Sequence, residues 1–153
     1  MAVEIEVHSA EIEAEIRIDA DRDTVWRALT IDVGAWWPHT FQEQPLRVAL
    51  EPEIGGRFYE QFDESGAGAL YAHVTYIEPG RILRVSGPMG LGGAALYVKT
   101  YRLEADDGGT TVRTTAAILG AVTSHTIEGY RVGGRDVLAA LKRHAEATAV
   151  DAV

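Results

Sequence analysis

Glu60 stands between Phe58 and Phe62 at the alternating spacing of a strand. A carboxylate on an apolar face loses hydration unless donors replace it, and such a group often carries a raised pKa. That makes Glu60 one of the chain's few acid/base candidates. Its alternatives are an outer face for the two phenylalanines, or pairing with an arginine at the sheet edge. His73 has similar standing: it shares a strand face with Tyr71, Thr75 and Ile77, and a lone histidine either moves protons or is hydrogen-bonded into the structure. Other chemistries lack their residues. Without cysteine there is no disulfide, thiolate zinc site or thiol catalysis. His8, His39, His73, His125 and His144 never fall at i, i+3 or i, i+4 spacing, so no metal is expected. Ser9, Ser65, Ser86 and Ser124 lie in no Gly-x-Ser-x-Gly elbow, and the glycine-rich 87–93 loop lacks the Lys-Ser/Thr of a phosphate loop. That loop reads as the lip of a hollow, and no cofactor is expected.

The elements that position these residues are legible as patterns. Residues 125–153 read as one long helix, with Ile127, Tyr130, Gly134, Val137, Leu138, Leu141 and Ala145 on one stripe and Arg131, Arg135, Asp136, Lys142 and Arg143 turned away. Gly129, Gly133 and Gly134 sit in its first half, although each costs about 1 kcal/mol relative to alanine there, so something lies close to that backbone. Residues 11–18 alternate strictly, placing Ile12, Ala14, Ile16 and Ile18 on a core face. Val3, Ile5 and Val7 alternate in the opposite parity, which requires a bulge or break between His8 and Glu11 if both stretches use one face. An acidic start at Asp21 and Asp23 predicts a short helix through Leu29, and a helical turn over 32–38 should end at Pro38. Strands are expected at 46–50, 57–62, 69–77, 81–85, 94–104 and 110–119.

Parity indicates which side chains see the interior. If Leu103 points inward, so do Tyr101, Lys99 and Tyr97, and on the last strand Val112, Thr114, Ala116 and Ile118 follow. Small Thr114 and Ala116 opposite Gly133 and Gly134 leave either unfilled volume or a tightly interlocked core. Trp26, Trp36 and Trp37 either close one end of that core or form a pocket rim, and the adjacent pair can divide the two tasks. The ligand-binding set expected from these patterns is Trp37, Phe58, Tyr71, Tyr97, Tyr101, Thr114, Ala116, Tyr130 and Gly134. Which face of 57–62 and 69–77 lines the hollow stays open.

At 153 residues the length suits one domain. A formal charge of −9, from 14 basic against 23 acidic residues, would repel a phosphate backbone or an anionic membrane surface. Nucleic acid is excluded as a partner on that ground. No stretch has the length of a bilayer span, and membrane insertion is not expected. The absence of cysteine and of a visible secretion signal fits a cytoplasmic setting. A homodimer is compatible with the sequence.

These segments, in their order, resemble the START-like (SRPBCC) superfamily, in the branch related to the activator of Hsp90 ATPase. The segment from Asp23 to Leu29 resembles the family's first helix, and Trp36-Trp37-Pro38 its Trp-Trp-Gly-Pro segment without the glycine. Pro52-Glu53-Ile54-Gly55-Gly56-Arg57-Phe58 is similar to its turn into a strand, and Ile77-Glu78-Pro79 with Arg81-Ile82-Leu83 to its strand, turn, strand unit. Thr100 to Glu104 with Gly108-Gly109-Thr110 and Val112 resembles its penultimate hairpin, and Glu128-Gly129-Tyr130 with Val137, Leu138 and Leu141 its closing helix. The resemblance covers nearly all of 1–153, taken as one START-like domain. It implies an α+β helix-grip fold of the Bet v 1 type: a bent antiparallel sheet around the long C-terminal helix, with two short helices near the N-terminus. Function is less constrained, because one fold hosts many activities. The leading expectation is a small hydrophobic or aromatic ligand in an internal cavity. A polyketide cyclase/aromatase-like enzyme using Glu60, His73 or a tyrosine is the second, and a chaperone-interaction module is the third.

Overall fold

A computed structural model describes residues 1–151, leaving the last two positions of the expected helix, Ala152 and Val153, outside the described residues. The sheet is built from β1 (His8–Ile18), β2 (Arg47–Leu50), β3 (Arg57–Gln61), β4 (Gly68–Glu78), β5 (Ile82–Gly87), β6 (Ala95–Asp106) and β7 (Gly109–Gly120). All neighbours are antiparallel, in the order β1-β7-β6-β5-β4-β3-β2. Helices α1 (Arg22–Leu29) and α2 (Val33–Trp36) follow β1, and α3 (Ser124–Asp151) closes the chain. The curved sheet with its long terminal helix is a helix-grip, α+β architecture. No helix among the described residues is long and apolar enough to cross a membrane.

Local chemistry explains these boundaries. Asp21 caps α1 by accepting from the Thr24 amide at 2.7 Å, and these hydrogen bonds hold its carboxyl below the usual range. Pro38 follows Trp37, the C-cap of α2, and blocks continuation of the helix. Alternation in β1 is as regular as its sequence, with Ile18 fully buried and the glutamates exposed. The expected break before Glu11 does not occur: β1 runs unbroken from His8 to Ile18, paired with β7 throughout. Val3, Ile5 and Val7 lie outside the sheet and are exposed, so their alternation serves no buried face.

The two halves of α3 have different surroundings. Val137, Leu138, Ala140, Leu141 and Ala145 in the second half are buried, packing on β1 and α1. Nothing in the first half, from Ser124 to Asp136, is fully buried. Burial of apolar side chains at about 25 cal/mol per Å² therefore anchors the second half. The first half passes over an unfilled interior.

Candidate functional site

Beneath the glycine-bearing half of α3 lies a cavity of about 580 Å³ that opens to solvent. Strand β6 supplies its floor through Tyr97, Lys99 and Tyr101, three alternate residues on the inward face. Helix α3 supplies the roof through Gly129, Tyr130, Gly133, Gly134 and Val137. Tyr71 of β4, Trp37, the 38–41 segment, Met89 and Gly90 complete the wall, the Met89 amide donating to the Tyr71 carbonyl at 2.8 Å.

Missing side chains on the roof create the space. A Cβ on Gly129 would meet nothing within 4 Å, whereas one on Gly133 would lie 3.4 Å from His39 Nε2 and one on Gly134 3.4 Å from Lys99 Nζ. Two polar contacts join the helix to the rim. His39 donates through Nε2 to the Gly133 carbonyl at 3.2 Å, and the Tyr130 hydroxyl donates to the Met89 carbonyl at 2.7 Å. Met89 adopts the left-handed backbone region, φ 45°, uncommon for a residue with a side chain.

Glu60 is fully buried, yet it does not reach the cavity wall. Its carboxylate accepts from the Phe41 amide at 2.8 Å, the Gln42 amide at 2.9 Å and the Tyr71 hydroxyl. These donors replace lost water and bind the 38–42 segment to the sheet. Burial first, and then the bond to Glu60, raises the Tyr71 pKa, so the hydroxyl stays protonated at neutral pH. Neither an outer face nor an edge arginine describes Glu60: it holds one wall in place from behind.

His73 corrects the expected face. Register shifts where Tyr71 bulges out of the β3 pairing and Thr75 out of the β5 pairing. The first bulge turns both Tyr71 and Ala72 inward and leaves His73 exposed on the outer face. Tyr71 and His73 therefore do not share an environment. Phe58 also departs from the expected set: it is buried behind the cavity, with its ring 4.9 Å from both Trp37 and Tyr71. Thr114 and Ala116 point inward as parity requires but are absent from the cavity wall. Ala116 packs with Tyr97, Ile118 and Val122, and Thr114 donates to the Ala14 carbonyl at 3.4 Å. Of the nine residues proposed from sequence as ligand contacts, Trp37, Tyr71, Tyr97, Tyr101, Tyr130 and Gly134 are brought together here. The tryptophan pair divides: Trp37 faces the cavity, while Trp36 packs in the core and donates to the Ala28 carbonyl at 2.7 Å.

Lys99 is the wall residue that the choice of candidates from sequence missed. Only 5% of it is exposed, and burial alone lowers its pKa to about 8. Its Nζ lies 5.4 Å from the centre of the Tyr101 ring, within cation–π range. Beside it, burial pushes the Tyr97 hydroxyl up to about 12 and raises that of Tyr101 further. The available signal was parity, which already set Lys99 between two inward tyrosines. His39, Phe41, Met89 and His125 also reach the wall, from segments without periodicity.

A curved antiparallel sheet closed by a long terminal helix, with a cavity between them, defines a helix-grip protein. Residues 9–146 match the family model described as "Polyketide cyclase / dehydrase and lipid transport". The chain belongs to that family, within the START-like (SRPBCC) superfamily. Its fold is similar to that of an uncharacterized protein from Rhizobium leguminosarum, at 22% identity and TM-score 0.71, over 94% of this chain and 99% of that one. It is likewise similar to an AHSA1-like protein from Aeromonas hydrophila, at 22% identity and TM-score 0.67, over 91% and 94%. Ara h 8.0201 shares the fold at 13% identity and TM-score 0.66, over 92% and 98%. No curated protein matches the chain.

Proposed function

We propose that this protein binds a small hydrophobic or aromatic molecule in the cavity beneath α3. The observation that carries this reading is the cavity itself: about 580 Å³, walled mainly by aromatic rings and glycine backbone. That size lies within the roughly 300–1,000 Å³ of small-molecule sites, which combine an apolar wall with a few placed polar groups. Trp37, Tyr71, Tyr97, Tyr101 and Tyr130 supply the contact area, and the glycines let the ligand approach the helix backbone. The cyclase-like alternative would use the same space. Of its acid/base candidates, His73 lies on the outer face and Glu60 behind the wall, which leaves the tyrosines, whose pKa values burial raises, and binding is therefore put ahead of catalysis.

Ligand linkage provides the test. A ligand at about a hundred times its Kd should add about 2.7 kcal/mol of stability, raising Tm by roughly 5–10 °C in a protein of this size. Differential scanning fluorimetry across aromatic and aliphatic molecules that fit the volume should find members giving such shifts. A panel without a single shift would contradict the reading.

A further inference from the structure

We propose that the ligand carries a carboxylate, received by the Lys99 ammonium with the Tyr97 and Tyr101 hydroxyls as flanking donors. This inference rests on the binding function proposed above and names the chemical class that the site selects. The chain has 23 acidic residues against 14 basic ones, yet none of the former contributes to the cavity wall. Among the described residues, Lys99 is the one lysine or arginine that does.

The other titratable groups of the cavity and its backing are engaged elsewhere or open to solvent. Glu60, the buried carboxylate behind the wall, is taken up by the Phe41 and Gln42 amides and by Tyr71. From the 38–41 segment comes His39, whose Nε2 is committed to the Gly133 carbonyl. From α3 come His125, which is exposed, and Tyr130, whose hydroxyl is committed to Met89. Lys99 is nine-tenths buried and has no hydrogen-bond partner within the described residues, its lowered pKa having desolvation as its sole cause. Lys99 Nζ lies 3.4 Å from where a Cβ on Gly134 of the roof would stand, and Tyr97 and Tyr101, which line the same cavity, have no side-chain hydrogen bond among the described residues.

A buried ammonium without a counter-ion is costly, and an anion in the same low-dielectric space offsets that cost. A carboxylate is acceptor-only and accepts several hydrogen bonds at once. It thus matches three donors that the protein leaves free. A neutral apolar molecule would fill the volume and leave the charge unanswered.

The test uses matched acid and amide probes of two shapes, 2-naphthoate with 2-naphthamide and decanoate with decanamide, titrated calorimetrically at pH 7. Each acid is expected to bind at least tenfold tighter than its amide. Lys99→Met should erase that preference while keeping the amide affinity, and Tyr97→Phe and Tyr101→Phe should each reduce it a few fold. Lys99→Gln provides a second variant, expected to lose the preference in the same way. Equal binding of acid and amide by the unaltered protein would overturn the carboxylate inference and leave the cavity reading intact. A preference that survives in both Lys99 variants would also overturn it. If neither member of either pair binds, the cavity reading falls and takes this inference with it.

Discussion

Lys99→Met is expected to stabilise the protein by about 3 kcal/mol at pH 7. Burial lowers the Lys99 pKa from the ordinary 10.5 to about 8, and at about 1.4 kcal/mol for each pKa unit that difference amounts to about 3 kcal/mol against the charged form. The unfolded chain binds this proton more tightly than the folded one, so the penalty is fully present below pH 8. It shrinks as pH rises from about 8 to 10.5, and stability rises with it. Methionine keeps nearly the same length without the charge, so packing changes little. Urea unfolding of both proteins should show the full difference at pH 7 and almost none at pH 10.5. Equal stabilities at pH 7 would mean that the ammonium is better solvated than its burial indicates. A residue that costs stability where it stands is characteristic of a site kept for use.

The second large effect has the opposite sign. Glu60→Leu should destabilise by about 3–5 kcal/mol, because it leaves the Phe41 and Gln42 amides without their acceptor and the Tyr71 hydroxyl with only the His39 carbonyl at 3.2 Å, and a desolvated donor left unsatisfied costs about 1–3 kcal/mol. Glu60→Gln should recover only part of that loss. Its single carbonyl oxygen can serve Phe41 and Tyr71, but its NH₂ would then oppose the Gln42 amide, donor against donor. Both variants should also loosen the 38–42 wall of the cavity. Near-native stability of Glu60→Leu would show that this segment is held by other contacts.

Both residues illustrate where sequence patterns carry information and where they stop. β1 and α3 are legible because strict alternation and a helical stripe are local signals, and the sequence position of Gly133 and Gly134 already marks where His39 and Lys99 come close to the helix. Parity along β6 correctly turns Tyr97, Lys99 and Tyr101 inward. β4 defeats the same argument, since bulges at Tyr71 and Thr75 change its face and the first of them separates Tyr71 from His73. The role of Glu60 depends on amides 18 and 19 positions upstream, in a segment with no periodicity. Thr114 and Ala116 show that inward orientation on β7 does not place a residue in the cavity wall. Val3, Ile5 and Val7 show that alternation alone does not recruit a strand, as their side chains find no face to cover.

The central claim is that the space beneath α3 receives a ligand, and amide-resolved NMR during a titration with 2-naphthoate tests it most directly. The account predicts progressive, saturable shifts concentrated at residues 97–101, 129–134 and 38–41, with little change on the outer face around His73. Shifts confined to the outer face, or a spectrum unchanged up to millimolar probe, would contradict it.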